Sequence, residues 1–409
     1  MNALPKTDML EATRLTREGR LEAAMAVLQR TLSGASPSPV PSNFGTDARR
    51  SPSVLARAIL DMTPAPARSE RAWTPPKFGK THFASRRESV SPPRIPEALR
   101  GFLNYIGHHE RVAPAFSRAP APLPPDARFE ERIYANKAGS RAYKLYIPSD
   151  YSGQALPLVL MLHGCTQSPD DFAAGTRMND LAEEHTFLVA YPEQIQSANP
   201  SKCWNWFNAD NQQRDQGEPS LIAGITRQIM HDLSVDPRQV YIAGLSAGGA
   251  AAAIMGTTYP DLYTGVGIHS GLACGAASDM PSAFAAMRQG ASSVAEPARW
   301  RDGPKGILPT IVFHGDHDMT VNPVNADQII AQSKAGANLR TTISRGEAPG
   351  GTRYTRLVRA DESGRPVLEQ WTLHGASHAW SGGSSAGSYT DPRGPDASRE
   401  MIRFFLQQQ

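Results

Sequence analysis

A serine flanked by glycines lies where an apolar strand runs directly into a helix. The segment reads VYIAGLSAGGAAAAI, with strand formers before Ser246 and helix formers after it. A strand-to-helix turn this tight crowds side chains against backbone, so Gly244 and Gly248 leave room while Ser246 is exposed at the apex. The N–H groups that begin the following helix favour an oxyanion nearby. The pattern predicts a nucleophilic serine.

A serine hydroxyl becomes a useful nucleophile only when a base accepts its proton and a carboxylate orients that base. In the fold typical of this turn, the acid and the histidine follow the serine in that order, each just after a strand. The segment TIVFHGDHDMTV offers Asp316 and Asp318, and WTLHGASHAWSGG offers His374 and His378. His374 lies at the strand end and is interpreted as structural, so the loop residue His378 is favoured as the base. The residue types alone leave the choice between the two aspartates open.

The second half of an oxyanion hole is expected from the turn after an earlier strand. In LMLHGCTQ the strand ends at Leu162, and the turn brings the backbone N–H of Cys165 towards the site. The N–H of Ala247, directly after the serine, is the other predicted donor. Three further histidines at strand ends are interpreted as hydrogen-bonded structural residues. They are His163, His269 and His314.

Short, almost wholly apolar runs alternate with helical stretches after a hairpin signal around Asn136–Ser140. The runs are LPLVLMLHG, FLVAYPE, QVYIAGLS, PTIVFHG and LEQWTLHG. Helices are predicted at Asp170–Glu184 and Pro219–Leu233. Apolar strands alternating with helices indicate an α/β protein with a mostly parallel sheet covered on both faces. Functional groups of such a sheet gather at the carboxyl ends of its strands.

The chain of 409 residues divides into three parts by composition. Residues 1–33 have the apolar pattern of a short helical hairpin. Residues 34–125 hold nearly half of the 34 prolines, and proline at that density favours an extended, largely disordered linker. Residues 126–409 are predicted to form the catalytic domain.

Charge and cysteine content exclude several classes of protein. The formal net charge is +3, and the basic excess lies in the linker, where it indicates a solvated segment rather than a nucleic-acid site. The N-terminus has no signal-peptide pattern, and no window approaches the ~18 apolar residues of a membrane span. A cytoplasmic protein is therefore expected. Three cysteines suit neither a disulfide framework nor a zinc motif, and nothing calls for a metal or a cofactor.

Seven segments in order resemble the poly(3-hydroxybutyrate) depolymerase-family esterases, which are α/β-hydrolases related to feruloyl and acetylxylan esterases. They are LHGCTQ, CWNWF, GEPSLIAGITRQI, DPRQVYIAGLSAGGA, HSGLACGAA, FHGDHDMTV and GASHAWSGG. The likeness runs from about Phe129 to the C-terminus. It implies an α/β-hydrolase fold with Ser246 as nucleophile, Asp318 rather than Asp316 as acid, and His378 as base. It also implies Cys165 and Ala247 as oxyanion donors.

The resemblance implies a serine esterase acting on poly- or oligo-3-hydroxybutyrate. Residues 1–125, which precede the resemblance, are predicted to place the enzyme on storage granules. The alternative is a feruloyl or acetyl carboxylesterase acting on plant-polysaccharide or small soluble esters. A granule-coat scaffold with an inert hydrolase domain is disfavoured because all three catalytic residue types are present. Trp380, Trp204 and Trp206 are the candidate substrate contacts. Extracellular members often pair the cysteines matching Cys165 and Cys203, but a cytosolic location predicts three free thiols here.

Overall fold

The computed structural model describes residues 123–292, 294, 307–334 and 338–408. The predicted helical hairpin at 1–33 and residues 34–122 of the predicted linker lie outside the described residues, so both stay predictions. The first described element begins at Arg128, close to the predicted start of the hydrolase segment.

Ten strands form one sheet in the order β1-β2-β4-β3-β5-β6-β7-β10-β9-β8. The strands are β1 (Arg128–Asn136), β2 (Gly139–Ile147), β3 (Leu156–Leu162), β4 (Leu188–Pro192), β5 (Val235–Leu245), β6 (Gly265–His269), β7 (Thr310–Gly315), β8 (Arg340–Glu347), β9 (Arg353–Ala360) and β10 (Pro366–Leu373). The six central strands, β4-β3-β5-β6-β7-β10 in spatial order, are parallel to one another. Antiparallel pairs extend both edges, and β1–β2 is the predicted hairpin. Two short strands, β11 (Trp380–Ser381) and β12 (Thr390–Asp391), pair separately.

Within the described ranges, seven α-helices and one 3₁₀ turn (Ala209–Gln212) connect these strands. The helices are α1 (Pro169–Thr176), α2 (Met178–His185), α3 (Gly217–Asp232), α4 (Ala247–Thr258), α5 (Met280–Gln289), α6 (Val324–Lys334) and α7 (Ala397–Leu406). The sheet has an apolar core on each face, because successive side chains of a strand point to opposite sides. In β5, Val240 and Ile242 join the core beneath α3 and α4, whereas Tyr241 and Ala243 join the core beneath α1, α2 and α7.

The single helix predicted at Asp170–Glu184 is wrong, because the structure has two helices there, α1 and α2. Arg177 separates them with a left-handed φ of 56°. The last carbonyls of α1 accept hydrogen bonds from elsewhere in the chain: Ser384 N–H bonds Gly175 at 2.8 Å, and Ser398 Oγ bonds Thr176 at 2.7 Å. Tertiary contacts therefore end α1. The predicted helix Pro219–Leu233 is confirmed as α3, which begins two residues earlier at Gly217.

The carboxyl ends of four strands meet at one edge of the sheet, as expected for parallel strands. The loop after β3 carries Cys165, and β5 leads into Ser246. The loop after β7 carries Asp318, and the loop after its neighbour β10 carries His378. The fold thus brings together residues that are far apart in the sequence.

Candidate active site

Ser246 occupies a backbone conformation that L-residues rarely adopt. Its φ is 57° and its ψ is −119°, and its N–H donates to the His269 carbonyl at 2.9 Å. A Cβ on Gly248 would lie 2.0 Å from the Leu162 carbonyl oxygen, and one on Gly244 would lie 2.3 Å from the Gly248 carbonyl oxygen. The two glycines therefore permit the close approach of β3, β5 and α4. Strained backbone of this kind persists only where surrounding contacts hold it.

His378 and Asp318 form a buried, directly hydrogen-bonded pair. His378 Nδ1 lies 2.6 Å from Asp318 Oδ2, and the side chains are 13% and 0% exposed. Asp318 Oδ1 accepts the backbone N–H groups of Thr320 at 2.9 Å and Val321 at 2.8 Å. Burial raises the pKa of the Asp318 carboxyl, but the charge of His378 and the hydrogen bonds from His314 and His378 outweigh it. The pKa therefore lies well below its ordinary value.

Asp316 and His374 form a second pair on the outside of the same two loops. His374 Nδ1 lies 2.9 Å from Asp316 Oδ2, its Nε2 lies 2.9 Å from Thr355 Oγ1, and Gly375 N–H donates to Asp316 Oδ1 at 2.6 Å. Both side chains are more than a third exposed. Burial raises the pKa of Asp316 and is the largest single contribution. The hydrogen bonds from His374 and Gly375 and the charge of His374 together outweigh it, so the pKa lies below its ordinary value. This pair joins the β7 and β10 loops and takes no part in lining the cavity described next.

Ser246 and His378 both line one cavity that opens to solvent. Its walls are mostly apolar: α5 contributes Met280, Ala283, Phe284 and Met287, and Trp206 and Phe207 lie in another part of the wall. None of the lining residues within the described ranges is a lysine, arginine, aspartate or glutamate. The remaining lining residues are Gly164, Cys165, Gln167, Asn199, Cys203, Leu245, Ala247, Leu272, Thr320, Val321 and Tyr389. The cavity therefore suits an uncharged, largely apolar ligand.

Cys165 and Ala247 both line this cavity, as Ser246 does. Ala247 is the first residue of α4, so its N–H lies among the helix-terminal donors that lack an intrahelical acceptor. No hydrogen bond joins the N–H of Cys165 or of Ala247 to another described residue. Both donors are thus available to a ligand.

The expectation of three free thiols is wrong in the structure. Cys165 and Cys203 form a disulfide, with their Cα atoms 4.2 Å apart, and Cys274 is free and buried. Tertiary contacts bring the two loops together: Thr166 N–H bonds the Ser201 carbonyl at 2.7 Å, and Trp204 Nε1 bonds the His163 carbonyl at 3.2 Å. Proximity in the fold, rather than cysteine spacing, determines the pairing.

The three candidate tryptophans have different positions. Trp206 lines the cavity. Trp380 is 1% exposed and lies behind the cavity wall, where its Nε1 donates to Ser398 Oγ at 3.0 Å and its ring stacks on His269. Trp204 is fully buried and likewise lies outside the lining. Trp204 and Trp380 were predicted to contact substrate, and the structure places both in the core instead. Their indole N–H groups donate hydrogen bonds within the protein, and their rings are buried.

The strand-end histidines are buried and hydrogen-bonded, as predicted. Burial lowers the pKa of His163 to about 4 and that of His269 to about 3. His163 Nε2 accepts the Gln194 N–H at 3.0 Å, and His269 Nε2 accepts the Ser381 N–H at 3.0 Å. Both therefore remain neutral imidazoles that hold loops around the site.

Two parts of the site are not among the residues predicted from the sequence. The first is α5, whose residues at positions 280, 283, 284 and 287 follow helical spacing and could have been recognised as one apolar face. The second is Glu218, which accepts Gln194 Nε2 at 2.5 Å and the Asn205 N–H at 2.8 Å and so holds the loop that carries Cys203. A carboxylate at a helix start gives no such signal, because its partners are distant in sequence.

Two features are absent from the described ranges of the chain. No cluster of three or more histidine, cysteine, aspartate or glutamate side chains is arranged there to hold a metal ion. Among the helices in those ranges, none is both long and apolar enough to cross a membrane.

Residues 141–350 match the model of the Esterase PHB depolymerase family. The chain is 34% identical over 241 residues to poly(3-hydroxyalkanoate) depolymerase C of Paucimonas lemoignei, a match that covers 57% of each protein. It is 29% identical over 224 residues to feruloyl esterase B of Thermothelomyces thermophilus, covering 51% of this chain and 75% of that enzyme. The chain thus spans only a little over half the length of the first of these relatives.

The fold is that of a solved esterase. Acetyl xylan esterase from Aspergillus awamori superposes with a TM-score of 0.53 at 18% sequence identity, covering 68% of this chain and 99% of that one. At this identity the likeness concerns the fold alone. It confirms the predicted α/β-hydrolase architecture.

Proposed function

Because the chain belongs to the Esterase PHB depolymerase family, we propose that it is a serine esterase that cleaves carboxylic esters through an acyl-enzyme on Ser246. The observation that carries the proposal is the pairing of His378 with buried Asp318 in the same cavity that Ser246 enters. Asp316, the other aspartate of that loop, pairs with a histidine outside the cavity.

In the proposed reaction, His378 accepts the Ser246 proton while Oγ bonds the ester carbonyl carbon. The carbonyl π electrons move to its oxygen, which receives hydrogen bonds from the N–H groups of Cys165 and Ala247. Collapse of this intermediate breaks the C–O bond, and His378 gives its proton to the departing alkoxide. Water then repeats the sequence on the acyl-enzyme and releases the acid. Asp318 orients the ring and stabilises the imidazolium throughout.

The proposed substrate is an ester of 3-hydroxybutyrate, as oligomer or polymer. Its repeating unit is uncharged, short and aliphatic, which agrees with a cavity whose described lining includes Met280, Phe284 and Met287 and no lysine, arginine, aspartate or glutamate. A depolymerase of poly(3-hydroxyalkanoate) is also among the relatives. Association with storage granules through residues 1–125 is part of the same proposal.

A feruloyl or acetyl carboxylesterase is the second candidate. The aromatic rings of Trp206 and Phe207 in the wall would suit a planar aromatic acyl group, and the match to feruloyl esterase B covers three quarters of that relative. Release of 3-hydroxybutyrate and of ferulate by the same purified protein separates the two. Faster release of ferulate at equal ester concentration would favour the second candidate.

The nucleophile is tested by Ser246→Ala. We expect turnover to fall by ~10⁴–10⁶ with little change in melting temperature, because alanine keeps the backbone and removes one hydroxyl. A sulfonyl fluoride should label Ser246 in the unmodified protein, as identified by peptide mass spectrometry. Ser152→Ala, which alters an exposed loop serine, is the matched control. Turnover above a few per cent in the Ser246 variant would contradict the assignment.

A further inference from the structure

We propose that His314 is a positioning residue for the Asp318 carboxylate, an inference that rests on the proposed role of the Asp318–His378 pair. His314 lies near the end of β7 and is 2% exposed. Its Nε2 lies 2.8 Å from the Val321 carbonyl oxygen and 3.3 Å from Asp318 Oδ2. One imidazole nitrogen thus contacts both ends of the turn that presents the acid.

The contacts determine which nitrogen of His314 carries the proton. A carbonyl oxygen can only accept, so the 2.8 Å contact with Val321 requires a proton on Nε2. Nδ1 is buried and has no hydrogen-bond partner among the described residues. A proton there would be a buried, unsatisfied donor on a charged ring, which is costly. The Nε2–H of His314 is therefore shared between Val321 and Asp318.

Every acceptor position of Asp318 is then accounted for. Oδ1 accepts the N–H groups of Thr320 and Val321, and Oδ2 is shared between His378 Nδ1 and His314 Nε2. These four donors come from β7, from the loop after it and from the loop after β10, and together they prevent the carboxylate from rotating. The donor from His314 also withdraws electron density from Oδ2, so that oxygen stabilises a protonated His378 less than an unshared carboxylate oxygen would.

The contact between His314 and Asp318 should affect how kcat/KM depends on pH. Among the described residues, Asp318, His314 and, on β6, His269 are titratable groups that interact with one another and with His378. His269 has a pKa of about 3 and stays neutral across the working range. Removing the His314 donor should therefore strengthen the hold of Asp318 on protonated His378. The acid limb of kcat/KM should move to higher pH.

Two substitutions of similar polarity test this geometry. The amide nitrogen of His314→Gln reaches the position of Nε2, whereas that of His314→Asn corresponds to Nδ1 and falls short of Val321. We expect His314→Asn to move the acid limb up by on the order of 0.5–1 pH unit and to lower kcat about tenfold. The His314→Gln variant should keep the acid limb of kcat/KM and the value of kcat close to those of the unmodified protein.

The titration midpoint of the His378 ring, followed by NMR in each variant, gives a readout that does not require turnover. A shift in His314→Asn that is reversed in His314→Gln supports the inference. Equal profiles and ring midpoints for the Asn and Gln variants would overturn it and leave the proposed function intact. Failure of the proposed function has a different signature, namely full hydrolysis by Ser246→Ala.

Discussion

At the scale of single residues, two aspartates two positions apart have different partners. Asp318 points inward to His378 in the cavity, and Asp316 points outward to His374 and Gly375. We expect Asp318→Asn to lower kcat by ~10⁴, because the amide no longer selects the tautomer of His378 that accepts the serine proton. Asp316→Asn is the matched control and should lower kcat less than tenfold. Steady-state kinetics on one soluble ester decide the matter, and a reversed order would exchange the two assignments.

Buried neutral histidines predict a loss of stability in mild acid. The pKa of His163 is about 4 in the folded protein because burial opposes the charged form, and 6.5 is its ordinary value. Between these values the unfolded chain binds more protons, so the free energy of unfolding falls as pH drops from about 6.5 towards 4. His163 alone contributes on the order of 3 kcal/mol to this fall.

Urea unfolding at pH 7.5 and pH 5 measures the effect. His163→Gln, whose amide does not titrate, should show a smaller difference between the two pH values than the unmodified protein. An unchanged difference would mean that other groups control the acid sensitivity.

At the scale of elements, the turn between β5 and α4 depends on close backbone contact. Gly248→Ala would place a Cβ 2.0 Å from the Leu162 carbonyl oxygen, and backbone cannot move aside as a side chain can. We expect a loss of about 3 kcal/mol or more in unfolding free energy, together with loss of turnover. In the adjacent Gly249→Ala the nearest contacts are 3.1 Å, so thermal unfolding should show a smaller loss. Equal stability of the two variants would contradict the packing argument.

The disulfide joins the loop after β3 to the loop that carries Trp206. It closes a sequence separation of 38 residues. Replacing both Cys165 and Cys203 with serine should lower the unfolding free energy by about 2–4 kcal/mol. Dithiothreitol should destabilise the unmodified protein by a similar amount and leave the double variant unchanged. Equal sensitivity of both proteins to the reductant would show that the bridge does not contribute.

At the scale of the whole molecule, the same bond bears on where the protein works. Disulfides persist in oxidising compartments and are rare in reducing ones, so the Cys165–Cys203 bridge does not support the cytoplasmic prediction. Non-reducing alkylation of protein taken from its own cells should modify Cys274 alone after unfolding. Modification of all three cysteines would restore the original expectation.

All the residues proposed for catalysis lie between 165 and 378, within the described part of the chain. A truncated chain that starts at Pro122 should therefore hydrolyse a soluble p-nitrophenyl ester at close to the full-length rate. If residues 1–125 bind granules, the truncated chain should sediment less with native granules and act on them more slowly. A tenfold change in the soluble-ester rate, or insoluble protein, would contradict the role proposed for this region.

The sequence alone was sufficient to identify the family and the α/β-hydrolase fold, because both depend on local patterns. Apolar runs revealed β3, β4, β5, β7 and β10, and glycines at defined positions revealed the serine turn. Strand β6 (GVGIH) was not among those apolar runs, although His269 was placed at a strand end, since its glycines weaken strand propensity. They are required by packing: a Cβ on Gly267 would lie 2.7 Å from Met401 Sδ. The charged strands β8, at the edge, and β9, beside it, likewise have little apolar character and are specified by pairing.

Only the tertiary structure decided which chemically equivalent residues meet. Residue types could not separate Asp316 from Asp318, whereas the adjacency of β7 and β10 pairs each with a different histidine. Cysteine spacing gave no bridge, yet the loops after β3 and before α3 bring Cys165 and Cys203 together. Trp380 lies two residues from His378 but points into the core, where Ser398 accepts its N–H. The physical reason is common to all three cases: a hydrogen bond or a covalent bond depends on distance and direction, and non-local packing determines both.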